Sequence, residues 1–359
     1  MSGRAPDRAA IAPVANSPAG LRQTLLARTR RSIEASGAIK VAVRLLLFVA
    51  GLAVIGYLLQ QVGPASIWDA FRNLSWRLLI VLVFPAGCVL LLDTLAWRFT
   101  FKRPPRFASL FAVRVAGEAV NLGTPTASVG GEPVKAWLLR PAVPLHEGLA
   151  AVIADKTTLV ASQIVLLAVG LVAGLWLLPL ANPLMMIMAG LLLLEIVCVG
   201  GFVIVQVCGA VRGGGRLMTR LGLASLAQHG MLDGLDRALR STYVERLPRL
   251  LGSVFFHFIA AALETLEIYL VLRFLKIPIS PAAVLAIGAF GSAARFFSFM
   301  IPASLGALEG ANVAIFAAFS VGGAVGLTCT FVRRLREIVW IAAGFAVLSF
   351  GPTFSARVR

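Results

Sequence analysis

The chain has 359 residues, of which 59% are hydrophobic and only 14% are charged, and its mean hydropathy is +0.89. Soluble domains carry about one-quarter charged residues, so this composition excludes an ordinary water-soluble globule. The uncharged stretches are long enough for helical spans of about 20 residues and lack the ten-residue alternation of an outer-membrane barrel. The sequence therefore predicts an all-α, polytopic helical membrane protein.

The net charge is +17, and the basic residues lie mostly in loops between apolar runs. No aromatic stacking motif accompanies them, so we expect them to face the anionic cytoplasmic leaflet and expect no nucleic-acid partner. The four cysteines form no CxxC pair, and the three histidines are isolated from one another without a metal-ligand spacing. No disulfide framework, metal site or bound cofactor is expected.

The chain begins with a basic arm, residues 1–40, which we expect to be flexible and cytoplasmic. The apolar run at 41–61 is too long for the core of a signal peptide, so we interpret it as an uncleaved first span. Five further spans are expected, at about 78–97, 149–178, 184–208, 250–272 and 333–350. This makes about six full spans, followed by a cytoplasmic tail at 351–359.

Two segments, 107–140 and 281–324, combine charges with helix breakers and do not fit single spans. The first contains Arg114 and Glu118, and the second contains Arg295, among Gly, Pro and Asn residues. Charges and breakers at membrane depth are tolerated only where they are buried in protein or line a wet cavity. We therefore expect two re-entrant or broken helical hairpins.

The loop at 209–249 contains a stretch, 231–246, whose Leu232, Leu235 and Leu239 share one helical face. Two interpretations stay open. One is an amphipathic helix lying on the inner leaflet, and the other is a connector helix packed on the bundle.

Basic residues in the loops predict the orientation. With a cytoplasmic N-terminus, the cytoplasmic segments hold 20 Lys and Arg residues and the opposite loops hold 4. This asymmetry predicts that both termini are cytoplasmic.

The two hairpin segments resemble each other, which predicts an internal repeat of 41–178 and 184–350. Glu132 and Glu309 each follow a proline by seven positions, with small residues between. Two further pairs of segments match in the same order: 93–99 with 264–274, and 148–156 with 326–334. Because three full spans separate the hairpins, the two copies would be inverted, an architecture found in many secondary transporters.

Glutamates beside the breaks are the first candidates for chemistry. Glu132 with Lys135, and Glu309 with Asn312, are three residues apart and share a helical face. A helix that starts after a break offers free N–H groups and a positive dipole end, suited to a lipid headgroup or a proton site. The alternative is that both glutamates only cap their helices and hold the hairpins.

Arginines between two apolar runs are the second candidates. Arg333 and Glu337 have the spacing of an i,i+4 pair, which would leave Arg334 and Arg336 without a local acidic partner. These two could bind lipid phosphate or could snorkel to the outer interface. In the first copy Asp155 and Lys156 hold the equivalent place, where we expect a pair within the bundle. The other intramembrane glutamates, at positions 195, 264 and 267, are expected only to face neighbouring helices.

Enzyme signatures are scarce. The sequence has no GxSxG, P-loop or Rossmann glycine pattern, and the loop at 62–77 offers only Asp69 as an acidic residue. We therefore expect no enzymatic activity, although an intramembrane transferase acting on a lipid-linked substrate stays an alternative.

Three motifs carry a resemblance to a known family: 117–135 with its GGEPVK end, 301–310, and FVRRLRE at 331–337. The chain resembles the lysylphosphatidylglycerol synthase transmembrane, or flippase-like, family over about residues 41–350, and within it the members found with hopanoid biosynthesis. The resemblance implies a bacterial inner-membrane protein that moves lipids between leaflets or helps to do so. The 359 residues include no soluble aminoacyl-transfer domain of the full synthases, so aminoacylation is not expected.

The leading hypothesis is a flippase-like transporter for hopanoids or another polar-headed lipid, with membrane lipids as partners. A non-transporting scaffold that binds lipid-biosynthesis enzymes is the other alternative. The sequence does not indicate an oligomeric state. The candidate substrate-binding residues are Glu118, Asn121, Gly130, Gly131, Glu132, Lys135, Arg295, Glu309, Arg333, Arg334 and Glu337.

Overall fold

The computed structural model describes residues 76–123, 130–208, 229–298 and 304–349, together with Arg72 and Ile301. The regular secondary structure among these residues is helical, with no strand, so the predicted all-α, polytopic fold is confirmed. The predicted arm at 1–40, first span at 41–61 and tail at 351–359 lie outside the described residues. In chain order the helices are α1 (Arg77–Thr100), α2 (Phe107–Gly123), α3 (Gly131–Leu139), α4 (Leu145–Leu175), α5 (Pro183–Val207), α6 (His229–Arg240), α7 (Leu247–Phe274), α8 (Pro281–Phe297), α9 (Ala307–Ala318) and α10 (Gly323–Ser349).

Four of these helices, α1, α4, α5 and α7, are long and apolar enough to cross a membrane. They confirm four of the predicted spans to within four residues at each end. Many large apolar side chains of α5 stay exposed, among them Met186, Leu193 and Val197. In a membrane such a surface faces lipid.

The last predicted span is wrong at its start. It was expected to begin near Arg333, but α10 begins at Gly323 and continues without a break to Ser349. The charged residues therefore lie in the middle of a 27-residue helix that is about 40 Å long. Hydropathy failed here because these charges have partners on neighbouring helices, which a count of apolar residues does not detect.

Each predicted hairpin consists of a 17-residue helix followed by a shorter one. The first is α2 with the 9-residue α3, and the second is α8 with the 12-residue α9. At 1.5 Å per residue, α3 and α9 are about 14 and 18 Å long, too short to cross a hydrocarbon core of about 30 Å. These lengths agree with broken hairpins. The connecting residues 124–129, 299–300 and 302–303 lie outside the described residues.

Close helix crossings join the first four helices to the last four. On α4, a Cβ added to Gly170 would lie 2.3 Å from the Cβ of Ala289 on α8. On α10, a Cβ added to Gly344 would lie 2.4 Å from the Cβ of Ala119 on α2. Helices α1 and α7 also pack along each other. These crossings bring charged side chains of both sets of helices around one cavity.

The connector helix α6 packs on the bundle. Leu235 and Leu239 are buried in a small apolar cluster with Ala150 of α4, and a Cβ added to Gly234 would lie 3.1 Å from the ring of His146. This packing agrees with the interpretation of the stretch as a connector helix. The loop at 209–228 and the side chain of Leu232 lie outside what the structure describes.

Candidate functional site

The first charged cluster lies where α2, α3 and α4 meet, and Glu132 is its centre. One carboxylate oxygen, Oε1, accepts hydrogen bonds from Asn121 at 2.9 Å and Lys135 at 3.2 Å and forms an ion pair with Lys156 at 3.0 Å. Lys135 also donates to Glu118 at 2.6 Å. The expected Glu132 and Lys135 contact is therefore present, and Glu118 joins it.

Small residues make this cluster possible. Gly131 begins α3, and its N–H donates to the side chain of Asn121 at 2.7 Å. A Cβ on Gly131 would lie 2.0 Å from the backbone oxygen of Gly117, so α2 and α3 could not approach with larger residues here. Gly130 is the residue just before α3. Asn121 and Gly131 thus hold the junction of two helices.

The second charged cluster is centred on Glu309 of α9. Its Oε2 accepts the backbone N–H of Gly306 at 2.7 Å, which caps the start of the helix. Its Oε1 accepts Nε and Nη2 of Arg334 at 3.2 and 3.0 Å, and Arg334 also donates to Glu337 at 3.2 Å. Glu309 is therefore a helix cap, one of its two expected roles, and it is also the ion-pair partner of Arg334.

A third cluster joins α7, α8 and α10 around Glu264. Arg333 and Arg295 donate to its Oε2 at 3.2 and 3.4 Å, and Arg336 lies 3.7 Å from its Oε1. Arg336 also pairs with Glu267, one turn further along α7. These contacts correct the arginine expectations. Arg333 pairs with Glu264, and Glu337 is bound by Arg334. Arg336 does not snorkel to the interface, because it lies in the middle of the helix and is only 7% exposed.

The fourth charged cluster, around His257, was not predicted from the sequence. His257 of α7 lies between two carboxylates, with Nδ1 2.7 Å from Asp93 of α1 and Nε2 3.0 Å from Asp155 of α4. Arg114 of α2 donates to Asp155 at 3.2 Å and to the backbone oxygen of Asp93 at 2.9 Å. The expected pairing of Asp155 with Lys156 is wrong, since each binds a residue of another helix. One signal was available: His257 is seven residues before Glu264 and shares its helical face.

A cavity of about 190 Å³ connects these clusters. Asp93 and Glu118 line it from the first four helices, and Ala86, Ala119 and Trp340 belong to its apolar wall. The last four helices line it with four charged side chains: Glu264, Arg295, Arg336 and Glu337. Of the predicted residues, Glu118, Arg295 and Glu337 line the cavity. Lys135, Arg333 and Arg334 each bind a lining residue. Glu132 and Glu309 lie one contact further away, behind Lys135 and Arg334.

Glu195 of α5 belongs to none of these clusters. It is 1% exposed, and neither of its carboxylate oxygens has a hydrogen-bond partner among the described residues. It faces neighbouring helices, as expected, without joining the site.

Comparisons with known proteins agree with this helical architecture. The profile of the family described as the lysylphosphatidylglycerol synthase transmembrane region matches residues 41–344. A relative described as a UPF0104 membrane protein, from Methanothermobacter thermautotrophicus, is 25% identical over 332 residues, which cover 87% of this chain and 97% of the relative. No solved structure matches the chain.

Proposed function

The chain belongs to the lysylphosphatidylglycerol synthase transmembrane family, and from this premise we propose that it moves a polar-headed lipid between membrane leaflets, or helps to move it. The cavity between the two sets of helices receives the headgroup. No cofactor and no covalent chemistry take part. The protein works in the inner membrane of a bacterium, with both termini cytoplasmic.

The charged lining of the cavity is the observation that carries this proposal. An isolated charge in a membrane helix costs several kcal/mol, and the six charged side chains around this cavity offset that cost through ion pairs with neighbouring side chains. Three of them, Glu118, Glu264 and Glu337, are bound from behind by Lys135, Arg333 and Arg334. The cavity therefore offers a polar surface at membrane depth where a headgroup can replace water without entering hydrocarbon.

Matched contacts support an inverted repeat behind this site. A Cβ on Gly117 would meet Lys135 of the first hairpin, and a Cβ on Gly291 would meet Asn312 at the corresponding place in the second. Both hairpin glutamates also bind a base of the following long helix at 3.0 Å: Lys156 binds Glu132, and Arg334 binds Glu309. We infer that the copies arose by duplication and face the cavity from opposite orientations, as alternating access requires.

Reconstitution tests the proposal. Purified protein is placed in vesicles with tail-labelled fluorescent lipids that carry anionic, zwitterionic or cationic headgroups or a hopanoid skeleton, and an impermeant quencher reads the outer leaflet. Wild type should accelerate exchange of at least one lipid. Glu118→Gln and Glu337→Gln should each lower that rate at least tenfold, since about 1.4 kcal/mol of lost stabilisation suffices for this.

Glu195→Gln is the matched control, because it neutralises a buried intramembrane glutamate that does not line the cavity. It should leave the rate unchanged. Failure of wild type to move any of these lipids, or undiminished rates in both cavity variants, would contradict the proposal. Turnover of a lipid-linked substrate in detergent, where no leaflets exist, would favour a transferase instead.

A further inference from the structure

The arrangement around His257 fixes how many protons the fourth cluster contains. A neutral imidazole has one N–H donor and one acceptor nitrogen, and an ionised carboxylate only accepts hydrogen bonds. Asp93 and Asp155 lie at hydrogen-bond distance from opposite nitrogens, 2.7 and 3.0 Å away. With a neutral ring, one of these contacts would place two acceptors against each other. The geometry therefore requires one additional proton.

We infer that Asp93, Arg114, Asp155 and His257 form a proton-binding site, in which the His257 ring carries a proton on both nitrogens and exchanges one of them with the cavity through Asp93. The second half of the inference rests on the proposed function: release and rebinding of this proton accompany movement of the lipid headgroup.

Charge balance supports a single proton. With His257 doubly protonated, two positive and two negative groups sum to zero, whereas loss of the proton leaves a net charge of −1 in a buried place. An uncompensated buried charge is costly. The proton should therefore be released when another positive charge enters the cavity or when a change in the cavity's shape admits water to the cluster. The cluster is therefore suited to two states that differ by one proton.

Exposure indicates the path of the proton. The side chains of His257 and Asp155 are 1% and 2% exposed, whereas that of Asp93 is 16% exposed and lines the 190 Å³ cavity. Asp93 is thus the member of the cluster that water or a headgroup in the cavity can reach. A proton leaving the Nδ1 position of His257 passes to the Asp93 carboxylate and from there to the cavity.

Other polar groups near α7 have their own partners. Tyr243, in the turn before α7, bonds to Thr157 and Gln206. Arg295 of α8 binds Glu264, two turns beyond His257. Among the residues that the structure describes, the charged groups that face the ring are therefore Asp93 of α1, Arg114 of α2 and Asp155 of α4.

Histidine NMR tests the proton site without any transport. The chain has three histidines, so His146→Gln with His229→Gln leaves His257 as the single ¹⁵N-labelled ring. At neutral pH we expect both nitrogens to carry a proton, and we expect Asp93→Asn to remove this signature. A neutral His257 ring in the otherwise native cluster would overturn the inference.

Vesicles with an imposed pH gradient test the coupling. For one proton per lipid, a gradient of one pH unit should change the steady-state leaflet ratio by up to about tenfold in wild type. His257→Gln and Asp93→Asn should abolish this response. Ser253→Ala is the matched control: it lies one turn earlier on α7, removes a buried hydrogen bond to Thr158 of α4 and carries no titratable group.

The outcomes separate the two proposals. Lipid movement in wild type that ignores the gradient overturns the coupling and leaves the proposed function intact. A response that survives in His257→Gln and Asp93→Asn also overturns it. If no lipid moves at all, the proposed function fails, and the NMR result alone decides whether the proton site exists.

Discussion

At the scale of single residues, the position of the Lys135 side chain depends on Gly117, which has no Cβ. A Cβ on Gly117 would lie 2.4 to 2.9 Å from three carbons of the Lys135 side chain, which is 1% exposed. Gly117→Ala should therefore displace Lys135 from Glu118 and Glu132 and destabilise the protein by about 1–3 kcal/mol, as overpacking does. The unfolding midpoint in detergent measures this.

Gly190→Ala is the control for this prediction. It makes the same substitution in helix α5, where an added Cβ meets nothing within 4 Å. Its unfolding midpoint should equal that of wild type or exceed it slightly, because alanine favours helices. Equal loss of stability in both variants would show that the contact with Lys135 does not matter.

The sequence predicted the local contacts of the site and missed the distant ones. Glu132 and Lys135 are three residues apart, so helical geometry alone predicts their contact. His257 lies 164 positions from Asp93 and 102 from Asp155, and no periodicity links such distances. Arg333 shows the same limit: a local partner was available in Glu337, but Glu264, 69 positions away, binds it instead.

At the scale of elements, the turn after α6 connects this helix to α4 and α5 through the hydroxyl of Tyr243. Ser241–Glu245 forms a π-helical turn, and within it the Tyr243 hydroxyl bonds to Thr157 of α4 at 2.8 Å and Gln206 of α5 at 3.1 Å. Burial raises the pKa of Tyr243, so the phenol stays neutral at physiological pH and can both donate and accept. The turn therefore attaches the connector to α4 and to the end of α5.

Tyr243→Phe should remove both hydrogen bonds and keep the ring. Because it leaves two partly buried polar groups without this partner, we expect a loss of about 1–3 kcal/mol in the free energy of unfolding. Tyr269→Phe is the control, since no hydrogen bond to the Tyr269 hydroxyl occurs within the described residues. If the two variants unfold alike, the turn does not stabilise the bundle.

At the scale of the whole molecule, hydropathy predicted where helices cross but could not predict which helices meet. The crossings of α4 with α8 and of α2 with α10 depend on Gly170 and Gly344, and nothing in a run of apolar residues marks those two glycines among 34. The repeat was visible as matched spacing around Glu132 and Glu309. The cavity was not, because it is formed by helices that are distant in the chain.

The inverted orientation of the two halves predicts which side of the membrane each loop faces. The loop between α1 and α2 and the loop between α7 and α8 occupy corresponding places in the two copies, so an inverted repeat requires them to face opposite sides of the membrane. The 20-to-4 distribution of basic residues assigns the first loop to the cytoplasm.

In a variant without its four native cysteines, exposed Arg103 and Pro278 report on these loops when each is replaced by cysteine. In intact cells an impermeant thiol reagent should label Pro278→Cys and spare Arg103→Cys, and lysis should make both react. Leu180→Cys, in the loop between α4 and α5, is the internal control and should react in intact cells. If Arg103→Cys and Pro278→Cys behave alike before lysis, the halves are not inverted and the alternating-access argument loses its geometric basis.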